Sequence, residues 1–278
     1  MTFVHPTELK KRYPFLAKKS LGQHFLVHRP ILETIAQRIL RHHPHTVLEI
    51  GPGPGSLSQL LAPQVNRLVL IEKDSQFKTL LDEIVSPLGS VEIQIQDFLK
   101  TDLSAILDSK DQPAIAAGNL PYNVSVAILQ KLLTFRNLFT HFYLMFQKEV
   151  AKRLTAKPST KDYGSLTLYA QMLADIKLIL PIPPSAFEPR PKVESAVVEI
   201  IPLPQPRYPE VDLQLFEKIT HAAFNPRRKT LANSLVAGMA RDKKQIEETL
   251  ESIGINPQRR GETLSLKEFA ELSLAFNN

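Results

Sequence analysis

Residues 46–61 read Thr-Val-Leu-Glu-Ile, then Gly-Pro-Gly-Pro-Gly, then Ser-Leu-Ser-Gln-Leu-Leu. No other stretch limits the fold as tightly. A short apolar run predicts a buried strand, the glycine–proline run forces a turn, and the spacing after it predicts a helix. Strand, glycine turn and helix in that order form the nucleotide-binding unit of doubly wound α/β folds. Glycine at Gly51 and Gly53 lets the backbone approach a ligand with no Cβ in the way. Pro52 and Pro54 carry no amide N–H, so the turn is a poor cradle for pyrophosphate. A nucleoside cofactor without phosphates suits it better, which points to S-adenosylmethionine rather than NAD.

The pattern repeats along the chain. Residues 67–72, 91–95 and 114–118 read as further strands, and each ends on a polar feature. Ligands of open α/β sheets sit at this carboxyl edge. Glu72, about 20 positions past the glycines, is expected on ribose hydroxyls. Asp97 can accept the adenine amine, with Phe98 packed near the same ring. The last of these ends is Asn119-Leu120-Pro121-Tyr122-Asn123. There the Asn119 side-chain oxygen and the Leu120 carbonyl can accept the two N–H bonds of an exocyclic amine. Tyr122 can stack on the ring, and Pro121 stiffens the turn. Residues 141–147 read as a fifth strand, and 166–174 fit helix or strand. Residues 176–182 and 194–201 read as two antiparallel partners that could close the sheet. Phe187 lies on a proline-stiffened loop between them, either anchoring that loop or offering a second stacking face to a target base.

At 278 residues the chain can hold one large domain and a smaller one. No apolar run approaches the roughly 18 residues of a membrane span, and the amino terminus lacks the apolar core of a signal peptide. With no cysteine, disulfides, iron–sulfur clusters and zinc–thiolate sites are excluded, and a cytoplasmic protein is expected. A formal charge of +6 favours an acidic partner, nucleic acid first. Lys10, Lys11, Arg12, Lys18 and Lys19 form a basic amino-terminal arm. The run Arg41-His42-His43-Pro44-His45 reads as a surface loop, and no metal site is expected. Residues 202–209 form a proline-rich linker. Beyond it, 213–224, 229–239, 243–253 and 266–276 have helical spacing, with basic clusters at 225–230 and 258–260. The expected division is a domain of 1–202, including the arm, and a helical domain of 203–278.

Several motifs occur together: Gly22-Gln23-His24-Phe25-Leu26, Glu49 to Gly55, Glu72-Lys73-Asp74, Asp97-Phe98, Asn119 to Asn123, Phe187 to Val193 and Phe224 to Leu231. In combination and order they resemble the ribosomal RNA adenine N6,N6-dimethyltransferases, specifically the bacterial small-subunit enzymes. The resemblance implies a Rossmann-like S-adenosylmethionine-dependent methyltransferase domain with a mostly parallel seven-stranded sheet, and a small all-α carboxyl-terminal domain for RNA or ribosome recognition. It implies dimethylation of two adjacent adenines near the 3′ end of small-subunit ribosomal RNA during 30S biogenesis. The partner would be that RNA in the immature 30S subunit, with no membrane involved, and the protein a monomer.

The family's cofactor residues fall on Leu26, Gly51, Glu72, Asp97 and Asn119. Gln23 and His24 of the arm motif, Gly53, Lys73 and Phe98 join them as cofactor-binding candidates. Asn119, Leu120, Tyr122 and Phe187 carry the catalytic expectation. Where the family usually has Asn, this chain has His24. An imidazole can still donate or accept near the methionine end of the cofactor. Two rivals share these features: a large-subunit RNA dimethylase of the antibiotic-resistance type, and a ribosome-assembly factor that binds without catalysis. The long basic helical tail favours the small-subunit enzyme, and the intact Asn119 and Tyr122 argue against lost chemistry.

Overall fold

The computed structural model describes residues 3–226 and 228–277. The first half contains α1 (Pro6–Arg12), β1 (Phe25–Leu26), α2 (Arg29–Leu40), β2 (Thr46–Ile50), α3 (Ser58–Leu61), β3 (Arg67–Glu72), α4 (Lys78–Ile84), β4 (Val91–Ile95), β5 (Ala114–Asn119) and α5 (Ser125–Thr134). Next come β6 (His141–Gln147), α6 (Lys148–Leu154), α7 (Ser165–Leu173), β7 (Ala174–Ile182), β8 (Phe187–Glu188) and β9 (Ser195–Pro202). The chain ends with α8 (Leu213–Phe224), α9 (Leu231–Met239), α10 (Lys243–Ser252) and α11 (Leu266–Asn277). The ambiguous stretch 166–174 is thus a helix that passes directly into β7.

Seven strands form one sheet in the order β4-β3-β2-β5-β6-β9-β7. The neighbours from β4 through β6 are parallel, and β9 runs antiparallel to β6. The central strands are covered on both faces, which is why β2 is buried throughout and reads as an apolar run rather than an alternation. The chain steps outward from β2 to β3 to β4, then returns to β5 on the other side of β2. Their connections therefore leave in opposite directions, and a crevice opens at their carboxyl ends. β5 approaches β2 closely here: a Cβ on Gly118 would lie 2.7 Å from the Ile50 carbonyl oxygen.

A second, two-stranded ladder was not legible in the sequence. β1 pairs antiparallel with β8, matching Phe25 to Glu188 and Leu26 to Phe187. This holds the arm beside the sheet. At the amino-terminal edge, the histidine-rich segment is more than a surface loop. Arg41 donates to Glu199 on β9, as does the Tyr143 hydroxyl from β6. The His42 ring stacks on His141 at 3.8 Å, and its Nε2 lies 2.8 Å from the Tyr143 hydroxyl. Burial pulls the pKa of both histidines down. Among the described residues no group of three or more His, Cys, Asp or Glu is placed to hold a metal ion. No described helix is long and apolar enough to cross a membrane.

The chain divides into two compact units, residues 1–151 with 177–202 and residues 152–176 with 203–278. The boundary expected at 202 therefore changes, because 152–176, with α7, joins the helical unit. The reason is aromatic packing. Phe224 lies 5.9 Å from the Tyr163 ring and 6.1 Å from Phe269, and the Tyr163 hydroxyl donates to the Leu264 carbonyl. Asp212 and Asp242 cap α8 and α10 by accepting backbone N–H bonds. α9 ends differently, on Ala240 with φ 52°, a left-handed conformation that suits glycine. Ala240→Gly is expected to stabilise the protein by about 1 kcal/mol, read as a higher denaturant midpoint with an unchanged slope.

Candidate active site

The crevice between the ends of β2 and β5 holds a cleft with a cavity volume of about 140 Å³. A smaller cavity of about 40 Å³ adjoins it, sharing Phe25, Gly51 and Asn119 as walls. The cleft brings together Gln23, His24, Gly51, Gly53, Glu72 and Lys73 with Asp97, Phe98, Asn119, Leu120 and Tyr122. Two expected residues stay outside it. Leu26 is buried and lines the smaller cavity. Phe187 is only 4 % exposed and packs in the apolar core. The expectation that it presents a stacking face to a base is not met here. Its β8 pairing with Leu26 turns the ring into the anchor of its loop. The ring beside Tyr122 is instead His24, stacked at 5.6 Å.

The glycine turn is shaped by one carboxylate. Glu72, buried at the end of β3, accepts the Gly53 N–H at 2.9 Å on one oxygen and the Asp74 N–H at 2.7 Å on the other. Burial pushes its pKa up, and the backbone hydrogen bonds oppose that shift. Gly53 itself has φ +54°, and a Cβ there would lie 3.0 Å from the Phe25 ring. Both the backbone conformation and the arm packed over the turn therefore require glycine.

Asp74 holds the arm. It is 2 % exposed and accepts Lys18 Nζ at 2.7 Å, Gln23 Nε2 at 3.0 Å and the Gln76 backbone N–H at 3.2 Å. Burial pushes its pKa up, but these hydrogen bonds prevail and hold the carboxyl below its usual range. The other end of the Gln23 amide accepts the Lys18 N–H at 2.8 Å. Gln23 therefore reaches the cleft wall with both ends of its amide already engaged, as a positioning residue.

Asp97 sits at the end of β4. Its Oδ2 takes an ion pair from Lys73 at 2.9 Å and its Oδ1 accepts the Leu99 N–H. The Lys73 hydrogen bond leads the effects that hold its carboxyl low. Phe98 is 5 % exposed, and its edge of the cleft is clamped by Lys131, which no sequence pattern singles out. Lys131 Nζ donates to the carbonyls of Phe98, Leu99 and Thr101 and lies 5.5 Å from the Phe98 ring. Because Lys131 is on α5, directly after the Asn119 turn, it ties the two sides of the cleft together.

At the Asn119 turn, Asn119 Nδ2 donates to the His24 carbonyl at 2.7 Å. That bond fixes the amide orientation and leaves Oδ1 as an acceptor. The Tyr122 hydroxyl lies 2.7 Å from Ser195 Oγ, which holds the ring in place. Burial pushes the phenol's pKa up, so it stays neutral. His24 Nδ1 lies 2.7 Å from the Pro189 carbonyl oxygen, so that nitrogen carries the hydrogen and donates.

The small cavity contains two polar groups with unused capacity. Ser56 Oγ is buried without a hydrogen-bond partner. Glu49 is 3 % exposed, and one carboxyl oxygen accepts Ser58 Oγ at 2.6 Å. Burial, opposed by that hydrogen bond and assisted by nearby Glu72, pushes its pKa up to about 7. A carboxyl with a raised pKa is stabilising when protonated. Its ionisation cost is absent below the ordinary value of 4.5, grows from there to about 7, and is complete above that. Glu49→Gln should therefore raise the melting temperature more near pH 8 than near pH 5, the difference amounting to about 3 kcal/mol. A shift equal at both values would contradict the buried, proton-holding Glu49.

A family model described as ribosomal RNA adenine dimethylase matches residues 15–277. The ribosomal RNA small subunit methyltransferase A of Geobacillus kaustophilus (strain HTA426) is 42% identical over 277 residues, 96% of this chain and 94% of that one. The protein of the same name from Bacillus cereus (strain B4264) is 37% identical over 274 residues, with the same coverage of 96% and 94%. Among solved structures, a dimethyladenosine transferase from Plasmodium falciparum aligns with a TM-score of 0.74 at 25% identity, over 89% of this chain and 95% of that one. The 23S rRNA methyltransferase ErmE aligns with a TM-score of 0.67 at 22% identity, over 91% and 100%, a likeness of fold alone. With the family model matched from the arm to the last helix, the chain belongs to the ribosomal RNA adenine dimethylases.

Proposed function

We propose that this protein transfers methyl groups from S-adenosylmethionine to the N6 amines of two adjacent adenines near the 3′ end of small-subunit ribosomal RNA, during assembly of the 30S subunit. The observation that carries the reading is the Asn119 amide, whose Nδ2 is engaged with the His24 carbonyl while its oxygen remains free to accept. An acceptor held at that edge suits an exocyclic amine.

The donor set fits the cofactor. Glu72 would take the ribose hydroxyls through its remaining lone pairs, Asp97 the adenine amine and Phe98 the ring. Gly51 and Gly53 allow close approach, while the prolines between them suit a ligand without phosphates. The orphaned Ser56 hydroxyl and the Glu49 carboxyl offer partners for the charged amino-acid end. When bound, S-adenosylmethionine supplies an electrophilic sulfonium methyl.

The nucleophile needs help from the protein because the adenine N6 lone pair is delocalised into the ring. Hydrogen bonds from its two protons to Asn119 Oδ1 and the Leu120 carbonyl favour a pyramidal nitrogen with its lone pair restored. Tyr122 carries the base on its ring face, and that face and the carbonyls favour the positive charge that develops on nitrogen. The proton can leave after attack, so no general base is required. The base must first leave its stack. In the helical unit, exposed Arg228, Lys229 and Arg260 offer cations to RNA phosphates. Arg259 does not, since it pairs with Glu268 and donates to the Thr263 carbonyl at 2.7 Å. Arg227, also expected in this basic cluster, lies outside the described residues.

The test is methyl transfer from labelled S-adenosylmethionine to immature small subunits, large subunits and naked RNA in parallel. Dimethyladenine confined to small-subunit RNA is the expected result, and label in large-subunit RNA would overturn the assignment. No label with tight particle binding would leave a binding factor. Asn119→Ala should lower kcat by about 100-fold, the scale of losing one preorganised hydrogen-bonding group. Near-normal turnover would remove Asn119 from the mechanism.

A further inference from the structure

A separate cavity of about 350 Å³ opens in the first unit. Its walls include Pro6, Phe15, Leu16, Phe25, Val27 and Pro189. The Leu16 residue is 76 % exposed, the most open large apolar residue among those described. Phe25 is a wall of both this cavity and the cleft, and Pro189 accepts the hydrogen bond that positions His24. The two openings thus share Phe25 as a common wall.

Basic residues follow the walls of the slot in the chain. On one side the wall 15–17 leads into Lys18 and Lys19; on the other, Pro189 leads into Arg190 and Lys192. Lys10, Arg12 and Lys18 pair with Glu188, Glu83 and Asp74. Lys19, Arg190 and Lys192 are exposed and enter no ion pair among the described residues. The Lys10–Glu188 pair, two further lining residues, places a donor and an acceptor at the slot. An apolar slot with a polar edge, whose walls run on in the chain into exposed cations, suits one nucleotide: a flat base, hydrogen-bonding groups on its rim and a phosphate on either side.

We infer that this cavity receives the base of the nucleotide next to the target adenine, while Lys19 and Arg190 hold the phosphates that flank it. The inference rests on the methyltransferase reading above and deepens it. Drawing a base into the cleft breaks its stack on its neighbour. A slot that takes up the neighbour replaces the lost stacking and keeps the second adenine one step from the site.

Leu16 tests this without touching the cleft. A photoreactive benzophenone side chain at position 16, in the full-length protein on immature small subunits, should cross-link to RNA. Primer-extension stops should fall within one nucleotide of the methylated adenine pair. Leu16→Asp, which adds a negative charge to an exposed position, should raise KM for the particle about tenfold and leave kcat unchanged. Cross-links that map elsewhere in the RNA or to a ribosomal protein, or an unchanged KM, would overturn the inference while methylation by the wild type continues. Absence of methylation by the wild type on any substrate would overturn this inference together with the reading it rests on.

Discussion

Two neighbouring parallel strands, β2 and β5, send their connections to opposite sides of the sheet, and the rest of the site depends on that divergence. Where strands part in this way, the backbone groups at their ends have no partner strand beyond them, and the space they enclose is available to a ligand. The glycine turn follows β2 and the Asn119 turn follows β5, so the two loops face each other across one crevice. β3 and β4 extend the same edge by two strands and bring Glu72 and Asp97 to it. Sheet topology alone collects residues that lie up to 70 positions apart in sequence.

Burial of charge then makes the edge rigid. Glu72 and Asp74 lie side by side with little solvent, and each is satisfied by several hydrogen bonds rather than by one strong partner. The donors come from the glycine turn, from β3's own exit and from the arm. An unpaired carboxylate here would be costly, because desolvation favours the neutral form. The same bonds therefore satisfy the acids and seat the arm over the turn. Glu49 has fewer partners, with one strong donor and a cavity beside it, and burial drives it up to about 7.

Much of this edge was legible in the chain because its information is local. A strand, its terminal residue and the turn after it are contiguous, so Glu72, Asp97 and Asn119 could each be placed from a handful of neighbours. What escaped was long-range. The β1–β8 ladder joins two dipeptides with no strand-like length of their own, so nothing local marks either as a strand. Phe187 illustrates the cost: an aromatic between prolines reads as a loop tip, and only its pairing with Leu26 reveals that the ring is buried. Nothing local marks Lys131, because its ammonium is held by three carbonyls of a turn some 30 residues away. The unit boundary shifted for a similar reason, since Tyr163 finds its aromatic partner at Phe224.

The arm's attachments also set an order of events during synthesis. The His24 ring is held by a carbonyl 165 residues later, and the Tyr122 ring by a hydroxyl 73 residues later. Translation proceeds from the amino terminus, so the arm emerges first and has no ladder partner until residue 188 has been made. The Tyr122 ring waits for Ser195, the first residue of the strand that completes β6's pairing. A nascent chain that stops short of β9 can form the glycine turn and its neighbouring strands, yet it has no finished cleft. The cleft therefore closes late, when most of the unit that carries it has already left the ribosome.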